Sequence, residues 1–465
     1  MDALWYSLSS LEPLILSLPA DAWEMHYVGL GGAFFTAEPV ILRAPVEEEW
    51  SRFLVNAARV RELDLDDGLP VDYLRTMRLH LPTPCLPFPR LRSISLPGFD
   101  PPSTAAYAPM LLSPSLESFE TNESDPDVVC AVLATLFDRC PNIRSLSIIA
   151  WNTDSVAFLP RFHKLQRVKH WVPLLASTTL SFLATSTSLT YLSIRAPSSL
   201  SLISSFRDDT PTFPNLATLR IDAVADTLVV DGLLRLVSKR SLTTLHLFCN
   251  ETSHMANTGH MKTLLNTISA FGMLQDLSLT QTDIFVGGMP SWDLDPLCQL
   301  TSLKSLSITV LGYTLPSDFL RCKPNMPWAN LKHLSLKSLS PLPPIDILGD
   351  CAHYLPKLER LTIPLNATMA PGSPVPRGRS WKYIAVRLLN ESTVTQESWP
   401  AVAAYVAATY PNVTLVYDEN EEGEEEDSDA RWWNEVVKIL PAMVSVAQAE
   451  RSLIREGIVD LELAD

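Results

Sequence analysis

The chain has 465 residues, of which 46% are apolar and 19% charged, so it has the composition of a folded globular protein and not of a disordered one. Its formal net charge of −16 argues against a nucleic-acid surface, and no apolar run reaches the roughly 20 residues that a membrane helix needs. The seven cysteines are scattered from Cys85 to Cys351 without a Cys-x-x-Cys pair, which fits buried thiols in a reducing compartment.

In residues 1–18, Leu4, Leu8, Leu11, Ile15 and Leu18 fall at helical spacing, interrupted by Pro13; this predicts a hydrophobic helix at one end of the fold. The first basic side chain is Arg43, so no signal peptide is expected, and a cytoplasmic or nuclear location is. The Gly29-Leu30-Gly31-Gly32 loop follows no clear strand and opens no clear helix, which argues against a phosphate cradle. Trp50, Phe53, Leu54 and Ala57 then predict a helix. Glu47, Glu48 and Glu49 fill its first turn, where carboxylates favour the helix dipole.

From residue 60 onward one pattern returns, Leu-x-x-Leu-x-Leu. It runs through Val60/Leu63/Leu65, Leu91/Ile94/Leu96, a degenerate Leu116/Phe119, Ile143/Leu146/Ile148, a weak Leu165/Val168 and Leu189/Leu192/Ile194. It continues through Leu216/Leu219/Ile221, Leu242/Leu245/Leu247, Leu274/Leu277/Leu279, Leu303/Leu306/Ile308, Leu331/Leu334/Leu336, Leu358/Leu361/Ile363 and Trp381/Ile384/Val386. The last two apolar residues of each set lie two apart, which is strand spacing, so both point to one face. A short strand cannot bury that face alone, whereas stacked copies share one core. The copies recur every roughly 22 to 32 residues, long enough to hold a helix between strands. Two such helices are clear: Val129, Val132, Leu133, Leu136 and Phe137, with Asp125 as N-cap and Pro126 as first residue, and Met261, Leu264, Leu265 and Ile268. The expected fold is an α/β leucine-rich-repeat solenoid, a ribonuclease-inhibitor-like horseshoe with parallel strands on its concave face and helices on its convex face.

Toward the C-terminus, Trp399, Val402, Ala403 and Val406 predict a helix and Val413-Thr414-Leu415-Val416 a last strand. The acidic run from Asp418 cannot bury anything and reads as a solvated, disordered linker. Trp432, Trp433, Val436, Val437 and Leu440 predict a closing helix. The domain plan is therefore an N-terminal cap over 1–45, an irregular solenoid over 46–417, an acidic linker over 418–430 and a helical cap over 431–465.

No catalytic or metal motif stands out. His254 and His260 share a loop that offers too few ligands for a metal. Asp64, Asp66 and Asp67 lie at a strand end where polar residues are expected anyway. The chain reads as no enzyme and as needing no cofactor. Binding is expected on the concave face, where the residues between and beside the last two apolar positions point. A column rich in serine runs down its middle, through Ser95, Ser147, Ser193, Ser278, Ser307 and Ser335. Two basic-aromatic groups stand beside it: Arg167, Lys169, Trp171, Tyr191 and Arg195, and His333, Lys337, Arg360, Tyr383 and Arg387. Arginine and aromatic residues dominate interface hot spots, and basic groups on an acidic protein suit an acidic or phosphorylated protein ligand.

Three stretches also resemble the fungal, mushroom-type F-box proteins with leucine-rich repeats. They are Asp2-Ala3-Leu4-Trp5-Tyr6-Ser7-Leu8-Ser9-Ser10-Leu11-Glu12-Pro13-Leu14, the repeat Phe213-Pro214-Asn215-Leu216-Ala217-Thr218-Leu219-Arg220-Ile221, and Tyr410-Pro411-Asn412-Val413 with the acidic run and Trp-rich helix after it. The resemblance implies the substrate-recognition part of an SCF-type E3 ubiquitin ligase, with ligase adaptor and cullin as further partners if an F-box lies upstream. Most of the box itself is missing here: Leu18-Pro19 resembles its opening, but Gly29, Gly31 and Gly32 break the helices that should follow. The alternative is a stand-alone repeat scaffold or inhibitor with no ubiquitin role.

Overall fold

The computed structural model describes residues 2–29, 35–65, 71–81, 85–98, 102–149, 157–170, 177–195, 213–222, 227–249, 258–281, 294–313, 328–339, 341–369, 371, 384–389, 391–410, 412–417 and 428–455. The chain forms two compact units, Met1–Leu216 and Ala217–Asp465.

The first unit opens with a 3-10 turn, Asp2–Trp5, then β1 (Ser7–Leu8) and α1 (Glu12–Ile15). The single helix expected over 1–18 is not formed. Pro13 sits in the first turn of α1, where its missing N–H is harmless, but a helix cannot run back through its ring. The upstream residues pair instead: Ser7 and Leu8 lie beside Glu62 and Leu63 as the edge strand of the repeat sheet. Leu8, Leu11, Ile15 and Leu18 are buried, while Leu4 is 78% exposed. An antiparallel hairpin follows, β2 (Trp23–Gly29) and β3 (Phe35–Ile41), which sequence reading missed. Residues Leu30 to Gly32 of the Gly-rich loop lie outside the described residues. Next, α2 (Glu47–Ala57) buries Trp50, Phe53 and Ala57 and opens on the three glutamates.

The repeats of this unit supply β4 (Glu62–Asp64), β5 (Ser93–Leu96), β6 (Ser118–Thr121), β7 (Ser145–Ile148), β8 (Arg167–His170) and β9 (Tyr191–Arg195). All pair in parallel and in chain order. The register lines up Leu63, Ile94, Phe119, Leu146, Val168 and Leu192, each at most 1% exposed. Stacking copies thus buries a face that one copy leaves wet, at roughly 1.5–3 kcal/mol per large apolar side chain. Each rung is also tied through the backbone: the N–H groups of Arg144 and Ser145 both donate to the Glu117 carbonyl, at 2.7 and 2.9 Å. The asparagine after proline extends the tie, Asn142 Nδ2 donating to Pro114 O at 3.2 Å and Asn215 Nδ2 to Thr187 O at 2.7 Å.

Between strands the chain returns through α3 (Val71–His80), the short α4 (Ala108–Leu111), α5 (Pro126–Arg139) and α6 (Ser177–Thr185). The expected cap of α5 is present: Asp125 Oδ1 accepts from the N–H groups of Asp127 (2.9 Å) and Val128 (3.4 Å). Among the described residues, the return before β8 holds a 3-10 turn, Leu159–Arg161.

The second unit repeats the plan. Its strands are β10 (Thr218–Asp222), β11 (Thr244–Cys249), β12 (Asp276–Gln281), β13 (Ser305–Tyr313), β14 (His333–Leu339), β15 (Arg360–Ile363), β16 (Asn366–Ala367), β17 (Ile384–Leu388), β18 (Thr393–Val394) and β19 (Val413–Tyr417). Strands β16 and β18 pair as a small parallel sheet of their own, and the others form the repeat sheet in chain order. Leu219, Leu245, Leu277, Leu306, Leu334, Leu361, Val386 and Leu415 share one column, every one buried. This corrects one assignment. Val386 and Leu388, not Ile384 and Val386, take the paired positions opposite Leu361 and Ile363. Ile384, Val386 and Leu388 are all buried, so apolar alternation alone left the register free by two residues.

Helices α7 (Thr227–Arg235), α8 (Thr258–Ser269), α9 (Ile347–Tyr354) and α10 (Trp399–Thr409) return this chain, and α8 buries Met261, Leu264, Leu265 and Ile268 as expected. The acidic residues 418–427 lie outside the described residues. After them α11 (Ser428–Arg455) packs on the end of the sheet. Trp433 is fully buried, stacks on Tyr417 and donates from Nε1 to Ser392 O at 2.9 Å.

Candidate functional site: the open faces of the two sheets

In each strand the apolar pair faces the return segments, so the residues between and beside it stand on the opposite, open face. In the first unit two columns result. One runs Glu62, Ser93, Ser118, Ser145, Arg167, Tyr191; the other runs Asp64, Ser95, Glu120, Ser147, Lys169, Ser193. Arg167 and Tyr191 are therefore direct neighbours. The guanidinium carbon of Arg167 lies 4.6 Å from the Tyr191 ring centroid, a cation–π contact that restrains the fork, and Arg167 remains exposed. Arg195 is exposed at the end of the adjacent strand. Trp171 lies outside the described residues.

Lys169 is not the open cation that its sequence position suggested. Its Nζ is 3.4 Å from Glu120 Oε1, which also accepts from Ser147 Oγ at 2.7 Å. Glu120 escaped the sequence reading because its repeat, Leu116/Phe119, ends in Thr121 where the pattern asks for an apolar residue. Thr121 is 2% exposed and takes that buried position all the same. Aligning the repeat on Phe119 alone would have placed Glu120 in the column.

In the second unit the columns are Thr218, Thr244, Asp276, Ser305, His333, Arg360, Ala385, Thr414 and Arg220, His246, Ser278, Ser307, Ser335, Thr362, Arg387, Val416. His333 and Arg360 are neighbours, as expected. Lys337 is exposed and pairs with Thr309 one column over. The register correction moves Arg387 from the side column into the middle one, opposite Thr362. Tyr383 lies outside the described residues. His333 Nδ1 is buried and has no hydrogen-bond partner among the described residues.

At the other end of this face Arg220 Nε reaches both carboxylate oxygens of Asp222 at 3.0 Å. His246 sits beside them. Partial burial lowers its pKa, Arg220 adds to that, and Asp276 and Asp222 oppose it. The imidazole is thereby held toward its neutral form. This arrangement of fixed charges over a floor of Ser and Thr can bind polar groups, and no nucleophile–base pair is formed by the residues named. Among the described residues no cluster of three or more His, Cys, Asp or Glu could hold a metal ion, and no helix is long and apolar enough to cross a membrane.

No protein-family model and no curated protein matches the chain. Among solved structures, that of a TLR13–ssRNA13 complex is similar at 14% identity and a TM-score of 0.36, over 80% of this chain. The chain spans about half of that structure's length, 53%. The register of the strands, with leucine and isoleucine stacked rung upon rung, makes each unit an α/β leucine-rich-repeat fold with one polar, open sheet face.

Proposed function

We propose that this protein is a non-enzymatic leucine-rich-repeat module that binds a protein ligand on its open sheet faces, and that it acts as the substrate-recognition part of an SCF-type E3 ubiquitin ligase. The observation that supports binding is the placement of Arg167 on Tyr191: a stacked, exposed guanidinium beside a floor of serines is what an interface anchor needs. The ligase role rests on the resemblance to fungal F-box repeat proteins, and a cytoplasmic or nuclear location on the scattered cysteines, which suit a reducing compartment. Affinity capture from a fungal lysate tests both, using this chain and a version extended with the upstream genomic reading frame. Mass spectrometry should recover adaptor and cullin with the extended form, and one protein ligand with both forms. Charge reversal at Arg167, Arg360 and Lys337 should abolish ligand capture; unchanged capture would sink the open-face reading.

A stand-alone scaffold or inhibitor is the second reading. It is favoured by residues 2–41, which among the described residues form a 3-10 turn, an edge strand, a four-residue helix and a hairpin in place of adaptor-docking helices. Capture of one ligand by both forms, with no ligase component, would select it.

A further inference from the structure

The first column of the first unit is a lane with opposite charges at its two ends. Glu62 stands at one end and Arg167 at the other, and the three residues between them in register are Ser93, Ser118 and Ser145. Both Glu62 and Arg167 are exposed, and neither makes an ion pair among the described residues. Their backbones are four strand steps apart. At about 4.8 Å per step that is roughly 19 Å.

The parallel column explains why this lane and not its neighbour would take a ligand. There the basic residue, Lys169, is already engaged by Glu120, whose carboxylate is also held by Ser147. Glu120 thus stands as a wall beside the lane while neutralising the cation next to it. On the lane itself the serines are too short to block a chain lying across the strands, and their hydroxyls can hydrogen-bond its backbone. Tyr191 closes the basic end and fixes the Arg167 guanidinium in place.

We infer that this lane binds an extended polypeptide segment that crosses the strands and carries an acidic and a basic side chain about six residues apart. The spacing follows from the roughly 19 Å span at about 3.3 Å per extended residue. The acidic side chain meets Arg167, and the basic one meets Glu62. This rests on the reading that the open faces bind protein, and adds which face is used and what the partner segment looks like.

The test is fluorescence anisotropy at low salt with labelled twelve-residue Gly/Ser peptides and the full chain. The peptides carry Glu and Lys six residues apart in either order, the same pair two residues apart, phosphoserine in place of Glu, or serine at both positions. One order at the six-residue spacing should bind at least tenfold tighter than the uncharged peptide and the short-spaced one. Retention with phosphoserine would name phosphorylated segments as ligands, and loss would restrict them to carboxylates. Arg167→Ala should lower that affinity at least fivefold. The exchange Glu62→Arg with Arg167→Glu should make the opposite peptide order the preferred one, with the urea midpoint of each variant as the control for folding. Equal binding of all peptides, or a preference unmoved by both variants, overturns the inference. If ligand capture from lysate persists in that case, only this inference falls and the broader binding role stands.

Discussion

The Arg167 guanidinium carbon lies 4.6 Å from the centre of the Tyr191 ring on the neighbouring strand. A stacked arginine is pre-organised, because the ring restricts its rotamers before a ligand arrives. Tyr191→Phe keeps the ring and should leave ligand capture within about twofold. Tyr191→Ala frees the guanidinium and should weaken capture roughly fivefold to tenfold, in line with a cation–π contact of about 1 kcal/mol. Titration calorimetry with the captured ligand checks both; equal affinities for the two variants would show that the stack is irrelevant to binding.

Glu120 holds Lys169 at 3.4 Å, with both side chains about 40% exposed. Such a pair contributes little to stability, so Glu120→Gln should shift unfolding by less than about 1 kcal/mol. It should, however, release one positive charge on the open face. Binding of an acidic peptide should tighten and become more salt-dependent, which anisotropy at two ionic strengths measures.

Arg43 bridges Asp21 and Glu49, at 2.7 and 2.8 Å, and ties the entry of α2 to the segment before the hairpin. The hydrogen bond from Arg43, then the one from the Val46 N–H, bring the Glu49 carboxyl down to about 2 from 4.5. A depressed carboxyl pKa means that its stabilisation is complete above the unfolded value and is lost as pH falls toward the folded one. The window is therefore pH 4.5 down to about 2, and the effect is small because the groups are exposed. Arg43→Ala should flatten the stability profile across that window. A carboxyl titration by NMR that leaves Glu49 near 4.5 in the wild type would refute this.

Leu334 is 1% exposed and stacks between Leu306 and Leu361. Leu334→Ala should cost about 2–5 kcal/mol through lost burial and the cavity left behind. Ser335→Ala, one residue on and facing the open side, should stay within about 0.5 kcal/mol. Urea denaturation of the two variants compares the faces of the same strand directly.

Cys140 is buried, donates from Sγ to Ser113 O at 3.1 Å, and has its pKa pushed up to about 12 by burial. Burial raises Cys351 as well. Neither should react with iodoacetamide at pH 8 in the native protein, and both should react in urea, because the thiolate is the nucleophile. The half-buried Cys130 serves as the internal comparison by peptide mass spectrometry. Native labelling of Cys140 as fast as Cys130 would contradict its burial.

Much of this architecture was legible before any coordinates. The Leu-x-x-Leu-x-Leu spacing named the strands, and the cap at Asp125 and the stripe from Met261 to Ile268 named two helices. Three things were not legible. The helical spacing of Leu4, Leu8 and Leu11 lost to a strand pairing with residues more than fifty positions later, and local periodicity carries no record of such partners. The pairing of β2 with β3 was hidden because neither segment carries the Leu-x-x-Leu-x-Leu pattern that named the other strands. In β17 three alternate apolar residues allowed two registers, and the Arg360↔Ala385 pairing selected one.

The same division holds for the site. The sequence by itself determined that Arg167 and Tyr191 would stand on the open face of the first unit, and His333 and Arg360 on that of the second, because a two-residue period admits no other side of a strand whose apolar pair is buried. Only the tertiary structure decided which charges remain available there. Glu120 lies two strands from Lys169 and far from it in the chain, yet it takes that cation out of play; Arg387 moved a column because of how β17 sits on β15. Electrostatic partnership depends on distance in space, and rung-to-rung stacking brings together residues that the sequence keeps a whole repeat or more apart.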